Sequence, residues 1–309
     1  MAQLRIFGAV GKATTRIMVD AVLAAAEAVL TAPVVVVLSP DADATGLGWH
    51  DARTRLDEKT MAVLSADSGL TAGDASPASA VTFGLTDTAQ VRATDLDATL
   101  DGTTFTLITD GRQDRVRLRV IGEHQVVNAL AAIAVGISCG VPIGTAIRAL
   151  QGLSTLGRGR MHRIEAPGDV TVIDDTVSAT AQSTAAALKA LAQVCGRRRS
   201  VAVLGALSVA EVPAGAHGDD AAAVHDRIGR LIVRLNVKKL VVVGHDARHI
   251  HNAAGLEGSW DGESVLVDTP QQAYDFLREE LREQDVVLVK SSPGAGLDTL
   301  ADRLAGAVR

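Results

Sequence analysis

Aromatic side chains are scarce in this chain: among 309 residues there are two Trp, one Tyr and four Phe. Cores built around stacked rings are excluded, and the interior falls to Ala, Val, Leu and Ile, within an apolar share of 47%. Cysteine is scarcer still. Cys139 and Cys195 stand in apolar or loop contexts without metal-ligand spacing, which excludes a disulfide framework and fits reduced, structural thiols in the cytoplasm. There is no basic excess. A net charge of −6 and a pI near 5.7 leave no electrostatic footprint for nucleic acid, and the only basic cluster, Arg197-Arg198-Arg199, reads as a solvated loop. No apolar run is long enough to cross a bilayer, and the N-terminus lacks the basic region, apolar core and cleavage site of a signal peptide. The expectation is a cytoplasmic protein whose partners include neither membrane nor nucleic acid.

What is present points to a parallel α/β architecture. The length allows two domains, each with its own core. Val-rich runs alternate with Ala-rich periodic segments, the pattern of strands buried on both faces and covered by helices. The first such unit is the most informative. Arg5-Ile6-Phe7 leads into Gly8-Ala9-Val10-Gly11-Lys12, followed by an apolar-periodic segment from Ile17 to Leu30. This is the layout of strand, phosphate loop and helix: glycines let backbone N–H groups close around phosphate oxygens, and the lysine reaches the outer phosphates. A full loop of this kind places Ser or Thr directly after the lysine to hold Mg²⁺. Here that residue is Ala13, and Thr14 and Thr15 follow at successive helical rotations of about 100°. The alternative reading is an ordinary glycine-rich turn.

Further along, Val34–Leu38 reads as a buried strand, followed by Asp41 and Asp43 in a polar loop, either candidate metal ligands or an acidic turn. Residues 50–60 read as helical, 61–64 as a strand, 65–79 as loop, and 81–84 as a strand. Residues 93–120 alternate, with turns at Asp101-Gly102 and Asp110-Gly111, predicting a small antiparallel meander. A buried helix from Val126 ends at Cys139-Gly140-Val141-Pro142, and a second runs over 143–151. His124 stands at the helix start, as a ligand or as a structural residue. The glycine- and arginine-rich connector 157–163 marks the expected boundary between a domain of residues 1–163 and one of residues 164–309. The second domain restarts with Val170–Asp175, a strand ending in two carboxylates. Helices are expected at 183–194, 225–235, 269–280 and 296–305, and strands at 200–204, 239–243, 264–267 and 285–290, a doubly wound, Rossmann-like alternation.

In this order these landmarks resemble the Mur ligases, ATP-dependent enzymes that add amino acids to the peptidoglycan precursor. The likeness is strongest to the D-alanyl-D-alanine-adding branch (MurF) in its actinobacterial form. Gly122–Ala132 resembles the family's G-x-H-N-V-x-N-A-L-A-A element, with Gln125 for the first Asn and Asn128 kept. Gly159-Arg160 resembles the pair that opens the C-terminal domain. Val203-Leu204-Gly205, His225 with Gly229, Val243-Gly244 and Val287–Lys290 follow in register. The resemblance implies a P-loop-type central domain, shortened here and carrying the small meander, and a Rossmann-like C-terminal domain. It also implies ATP with Mg²⁺ as cofactors, an acyl phosphate intermediate and attack by an amine. On this sequence the implied nucleotide-side residues are Gly8, Gly11, Lys12, Thr14, Asn128, Arg160, Asp174 and Asp175.

The departures cluster at the metal and the nucleotide. Ala13 replaces the Mg²⁺ hydroxyl, and Ala44 stands where the family's metal-binding His falls. The segment that carries the family's substrate loop and metal-binding Glu is absent between the first helix and Val34. The family's carbamylated Lys has no clear counterpart; Lys59 is a poorly aligned candidate. The D-D-x-Y-N-A-N-P signature has become Asp174-Asp175-Thr176-Val177-Ser178-Ala179-Thr180-Ala181, and Ala206 replaces an Asp. The chain starts at the phosphate loop, which leaves the UDP-sugar domain outside it. The expected function is that of a non-catalytic pseudoenzyme of peptidoglycan-ligase ancestry. It would act by binding another protein chain, either a cell-wall enzyme or a chain supplying the UDP-binding domain. The alternative is an active, abbreviated ATP-dependent carboxylate–amine ligase using a metal site rebuilt from Asp41 and Asp43.

Overall fold

The computed structural model describes residues 3–8, 10–40, 48–208 and 218–306. The chain divides into two compact units, Met1–Ser154 and Thr155–Arg309.

In the first unit the strands are β1 (Leu4–Phe7), β2 (Val34–Val37), β3 (Met61–Ser65), β4 (Ser79–Gly84), β5 (Val91–Thr99), β6 (Gly102–Thr109) and β7 (Arg112–Leu118). They form one sheet in chain order. Pairing is parallel from β1 to β5 and antiparallel from β5 to β7, the meander expected from the alternation. The physical basis differs along the sheet. All four valines of β2 are buried, so it reads as a continuous apolar run, whereas β6 alternates buried and half-buried residues because only one face is covered. The join between the two regimes is a short loop over residues 85–90. It is held by the Asp67 carboxylate, which accepts the Leu85 and Thr86 N–H groups at 2.7 and 2.9 Å, and by reciprocal bonds between Thr82 and Gln90. Val91 is thereby brought beside Phe83 without a helical crossover.

The helices of this unit are α1 (Lys12–Ala25), α2 (Trp49–Arg53), α3 (Glu123–Ser138) and α4 (Ile143–Gly152). α1 stops short of Leu30: Glu27 takes a left-handed φ of 52°, and Val29, apolar by pattern, is 73% exposed. The helix expected over 50–60 shrinks to α2. Beyond it the Thr60 hydroxyl and the Lys59 N–H both bond to the Asp57 carboxylate, at 2.6 and 3.0 Å, an Asx-type turn that competes with helix. α3 packs against α1, α4 and the strands, and is buried nearly all round, as its Ala-rich sequence requires.

The second unit contains β8 (His162–Ala166), β9 (Val170–Asp174), α5 (Ala181–Cys195), β10 (Ser200–Leu204), α6 (Gly218–Arg234) and β11 (Lys239–Val243). It continues through α7 (Arg248–Gly255), β12 (Glu263–Val267), α8 (Pro270–Glu280), β13 (Val286–Lys290) and α9 (Leu300–Leu304). The strand order is β12-β11-β10-β13-β9-β8, parallel except for β8. The glycine- and arginine-rich connector belongs to this unit, and its end, read as loop, pairs as β8 with β9. α7 also goes beyond the sequence reading. The last helix begins at Leu300 rather than at Gly296, which sits at φ 73°.

α6 and α7 meet at Gly229. A methyl group there would collide with the Ile250 carbonyl oxygen and lie 2.8 Å from the Ala253 Cβ. At the strand-start end of the sheet, Arg199 binds Asp285 at 2.7 Å and Glu280 at 2.8 Å, while the buried Lys239 reaches Glu280 at 3.3 Å and Glu263. The hydrogen bond from Arg199 holds the Glu280 carboxyl below its ordinary value, helped by Lys239 and opposed by burial.

Two outcomes are expected. Gly229→Ala lowers the unfolding free energy by about 1–3 kcal/mol in urea titrations, because rigid backbone stands where the methyl group must go. Glu280→Gln is less stable than the parent at neutral pH. Since the folded-state value is lowered, the parent's advantage shrinks as pH falls through the carboxylate range, and urea midpoints measured from about pH 7 to about pH 3 should converge.

Candidate functional site

The first unit gathers Gly8, Gly11, Lys12, Thr14 and Asn128 at the end of β1 and the start of α1. Gly8 and Gly11 adopt φ of 126° and 88°, which only glycine holds without strain, and Gly11 is the residue that caps α1. Lys12 is the first residue of the helix, so the glycine turn leads into a helix N-terminus, where anions are favoured. Ala13 is exposed, Thr14 is buried at 7% exposure, and Thr15 is fully buried, its hydroxyl donating to Asn128 Oδ1 at 3.1 Å. Asn128 Nδ2 donates to Gln125 Oε1 at 3.0 Å, and Gln125 Nε2 meets His124 Nε2 at 2.9 Å. The amide of Asn128 is thus spent on holding α1 to α3, and a side chain at Gly11 would strike its oxygen.

Ala9, in the middle of this turn, lies outside the described residues, and the described helix start beside it offers few groups to a metal ion. The hydroxyl position is a methyl, the neighbouring Thr15 hydroxyl is turned inward, and no group of three or more His, Cys, Asp or Glu among the described residues could hold a metal. Asp41 and Asp43, the candidate ligands, lie outside the described residues, as does Ala44.

The second unit gathers Arg160, Asp174 and Asp175. Here the two carboxylates have a role that the sequence does not advertise. Asp174, 2% exposed, accepts the Gly159 N–H at 3.0 Å and both the N–H and hydroxyl of Thr176, at 3.2 and 2.7 Å. Asp175 accepts the Met161 N–H at 3.1 Å and pairs with Lys290 Nζ at 2.5 Å. The backbone on both sides of Arg160 is therefore pinned, while its guanidinium has no ion pair among the described residues. Lys290, 2% exposed, also donates to the Ser178 carbonyl at 2.6 Å. The sequence does not mark Lys290 or Thr176 as partners of these aspartates; its hint for Lys290 is a lysine closing an otherwise apolar strand.

These residues lie at the carboxyl ends of β9 and β13, where β13 inserts between β10 and β9 and the strand order reverses. Crevices at such switch points bind ligands in open α/β sheets. A cavity of about 730 Å³ opens there, lined by Asp174, Thr176, Val177, Ser291 and Ser292, with the Arg158–Asp302 ion pair at its edge. Behind it His225 is buried. Its Nε2 accepts the Leu207 N–H at 3.2 Å and its Nδ1 lies 2.8 Å from the Ala221 carbonyl, so the ring braces these two segments. Burial pushes the Cys195 thiol up to about 12 and raises that of Cys139.

Comparison with known proteins decides the family. Residues 53–136 match the Mur ligase middle domain, and residues 159–293 the Mur ligase glutamate ligase domain. The chain belongs to the Mur ligase family. A UDP-N-acetylmuramoyl-tripeptide–D-alanyl-D-alanine ligase from Mycobacterium tuberculosis (strain ATCC 25618 / H37Rv) is 44% identical over 217 residues, which is 65% of this chain and 41% of that protein. The enzyme of the same name from Mycobacterium leprae is 43% identical over 205 residues, 62% of this chain and 38% of that one. This Mur ligase chain thus spans 38% to 41% of the length of these curated relatives. In fold it matches MurF from Acinetobacter baumannii, with a TM-score of 0.80 at 20% identity over 98% of this chain and 76% of the other. It also matches MurF ligase from Thermotoga maritima, solved in complex with ADP, with a TM-score of 0.80 at 17% identity over 99% and 80%.

Replacing Lys290 by Met is expected to cost about 3–5 kcal/mol, because it leaves the Asp175 carboxylate without its partner in a largely buried setting. Guanidinium unfolding monitored by circular dichroism checks this.

Proposed function

We propose that this chain is a non-catalytic Mur ligase that retains the ligase scaffold and acts by binding. The observation that carries the reading is the first turn of α1. Ala13 offers no oxygen to a metal ion, and the Thr15 hydroxyl that follows is committed to Asn128. Asp174 and Asp175 support it: their oxygens are engaged by backbone N–H groups, the Thr176 hydroxyl and Lys290. A lost charge-assisted contact is worth about 1.5–3 kcal/mol, roughly tenfold or more in rate, and several lost together remove most of an enzyme's advantage. The partner in this reading is another protein chain in the cytoplasm, either a cell-wall enzyme or a chain carrying a UDP-binding domain.

A second reading, an active ATP-dependent carboxylate–amine ligase, draws on the retained glycine turn and on Lys12 at the start of α1. Two measurements separate them. In isothermal titration, ATP is expected to bind weakly and with no gain from Mg²⁺; tight, Mg²⁺-dependent binding would overturn the first reading. Amine-dependent phosphate release from ATP across a panel of acids and amines is expected to be absent, and its presence would establish the second.

A further inference from the structure

The hairpin turns of the meander take no part in either candidate site, yet one of them carries chemistry of its own. An aspartate followed by glycine closes readily to a five-membered imide, because no side chain shields the glycine nitrogen as it meets the aspartate Cγ. The chain has three such steps, Asp101-Gly102, Asp110-Gly111 and Asp261-Gly262. Sequence ranks them equally; the fold does not. Gly102 is buried in β6 opposite Thr99 of β5, and a Cβ there would collide with the Leu118 carbonyl oxygen of β7. The Thr99 hydroxyl also ties this turn, accepting the Asp101 N–H at 3.2 Å and donating to the Gly102 carbonyl at 3.3 Å. At Asp261 the carboxylate is held by Lys238, which donates to both oxygens at 2.9 Å, and Gly262 packs against the Trp260 ring.

Asp110 and Gly111 differ on each of these counts. They are the central residues of the turn between β6 and β7, closed by the Thr109–Arg112 pair, with φ of 46° and 75°. Positive φ at both positions is the geometry of a type I′ turn, which favours Asp or Asn followed by Gly. Both residues are exposed, and a Cβ at Gly111 would meet open space. Gly111 stands outside the paired residues of the two strands, and the Asp110 carboxylate has no hydrogen bond or ion pair among the described residues. From this contrast we infer that Asp110-Gly111 is the chain's site of spontaneous isoaspartate formation. The Gly111 nitrogen attacks the Asp110 Cγ: a C–N bond forms, a C–O bond breaks, and the oxygen leaves as water with the amide proton and the acid proton. Water then opens the imide at either carbonyl. Opening at the main-chain carbonyl leaves the backbone running through Cβ and Cγ, and no reactant besides water is needed. The added methylene enters the turn that sets the register of β6 against β7.

The whole chain is aged at physiological temperature in mildly acidic buffer, once folded and once in urea, and then digested with trypsin. Electron-transfer fragmentation, which tells isoaspartate from aspartate, reads each Asp-Gly step, and carboxyl methylation by an isoaspartyl methyltransferase gives the total. In the folded chain isoaspartate is expected to accumulate at Asp110 about tenfold or more faster than at Asp101 or Asp261. In urea the three rates should converge, because only the fold distinguishes the steps. Asp110→Glu, whose longer side chain does not close the five-membered ring, should remove most of the methyl acceptance and leave the thermal melt in place. Comparable rates at the three steps in the folded chain would overturn the inference. So would a faster rate at Asp101 or Asp261, or an Asp110 that stays unmodified when folded while the chain in urea converts it.

Discussion

A chain with two Trp, one Tyr and four Phe has to close two cores with Val, Ala and Leu, and small side chains fill space only when backbones come near each other. That requirement runs through both units. Valine strands buried on both faces stack beneath helices whose contact surfaces are alanine and glycine, as in α3 and at the Gly229 contact of α6 with α7. The glycine turn at the start of α1 and the aspartate pair at the end of β9 inherit their positions from that packing.

The candidate residues of each unit then show one physical theme, polar groups spent on holding the scaffold. Asn128 links α1 to α3 through Thr15. Asp174 and Asp175 clamp the backbone on either side of Arg160, and the buried Lys290 ties Asp175 to the segment leading into α5. A buried charge must be paired to be tolerated, and these pairings satisfy that need within the protein. Residues identified by resemblance as ligand contacts are therefore also structural members.

The charge network at the opposite end of the C-terminal sheet follows the same rule. Arg199, Lys239, Glu280 and Asp285 satisfy one another at the strand starts.

The sequence by itself determined the alternation of strand and helix, the meander, the family and the loss at Ala13, because each is written in local pattern or in a short motif. Its failures were also local in origin: apolar periodicity carried α1 past Glu27 to an exposed Val29, and charge content suggested a long helix where an Asx turn at Asp57 intervenes. Tertiary structure alone decided that β8 pairs with β9, that β13 enters between β10 and β9, and that the two aspartates grip backbone. The reason is distance along the chain. Thr15 with Asn128, and Asp175 with Lys290, are separated by 113 and 115 residues, and no local pattern specifies which groups folding will bring within hydrogen-bond reach.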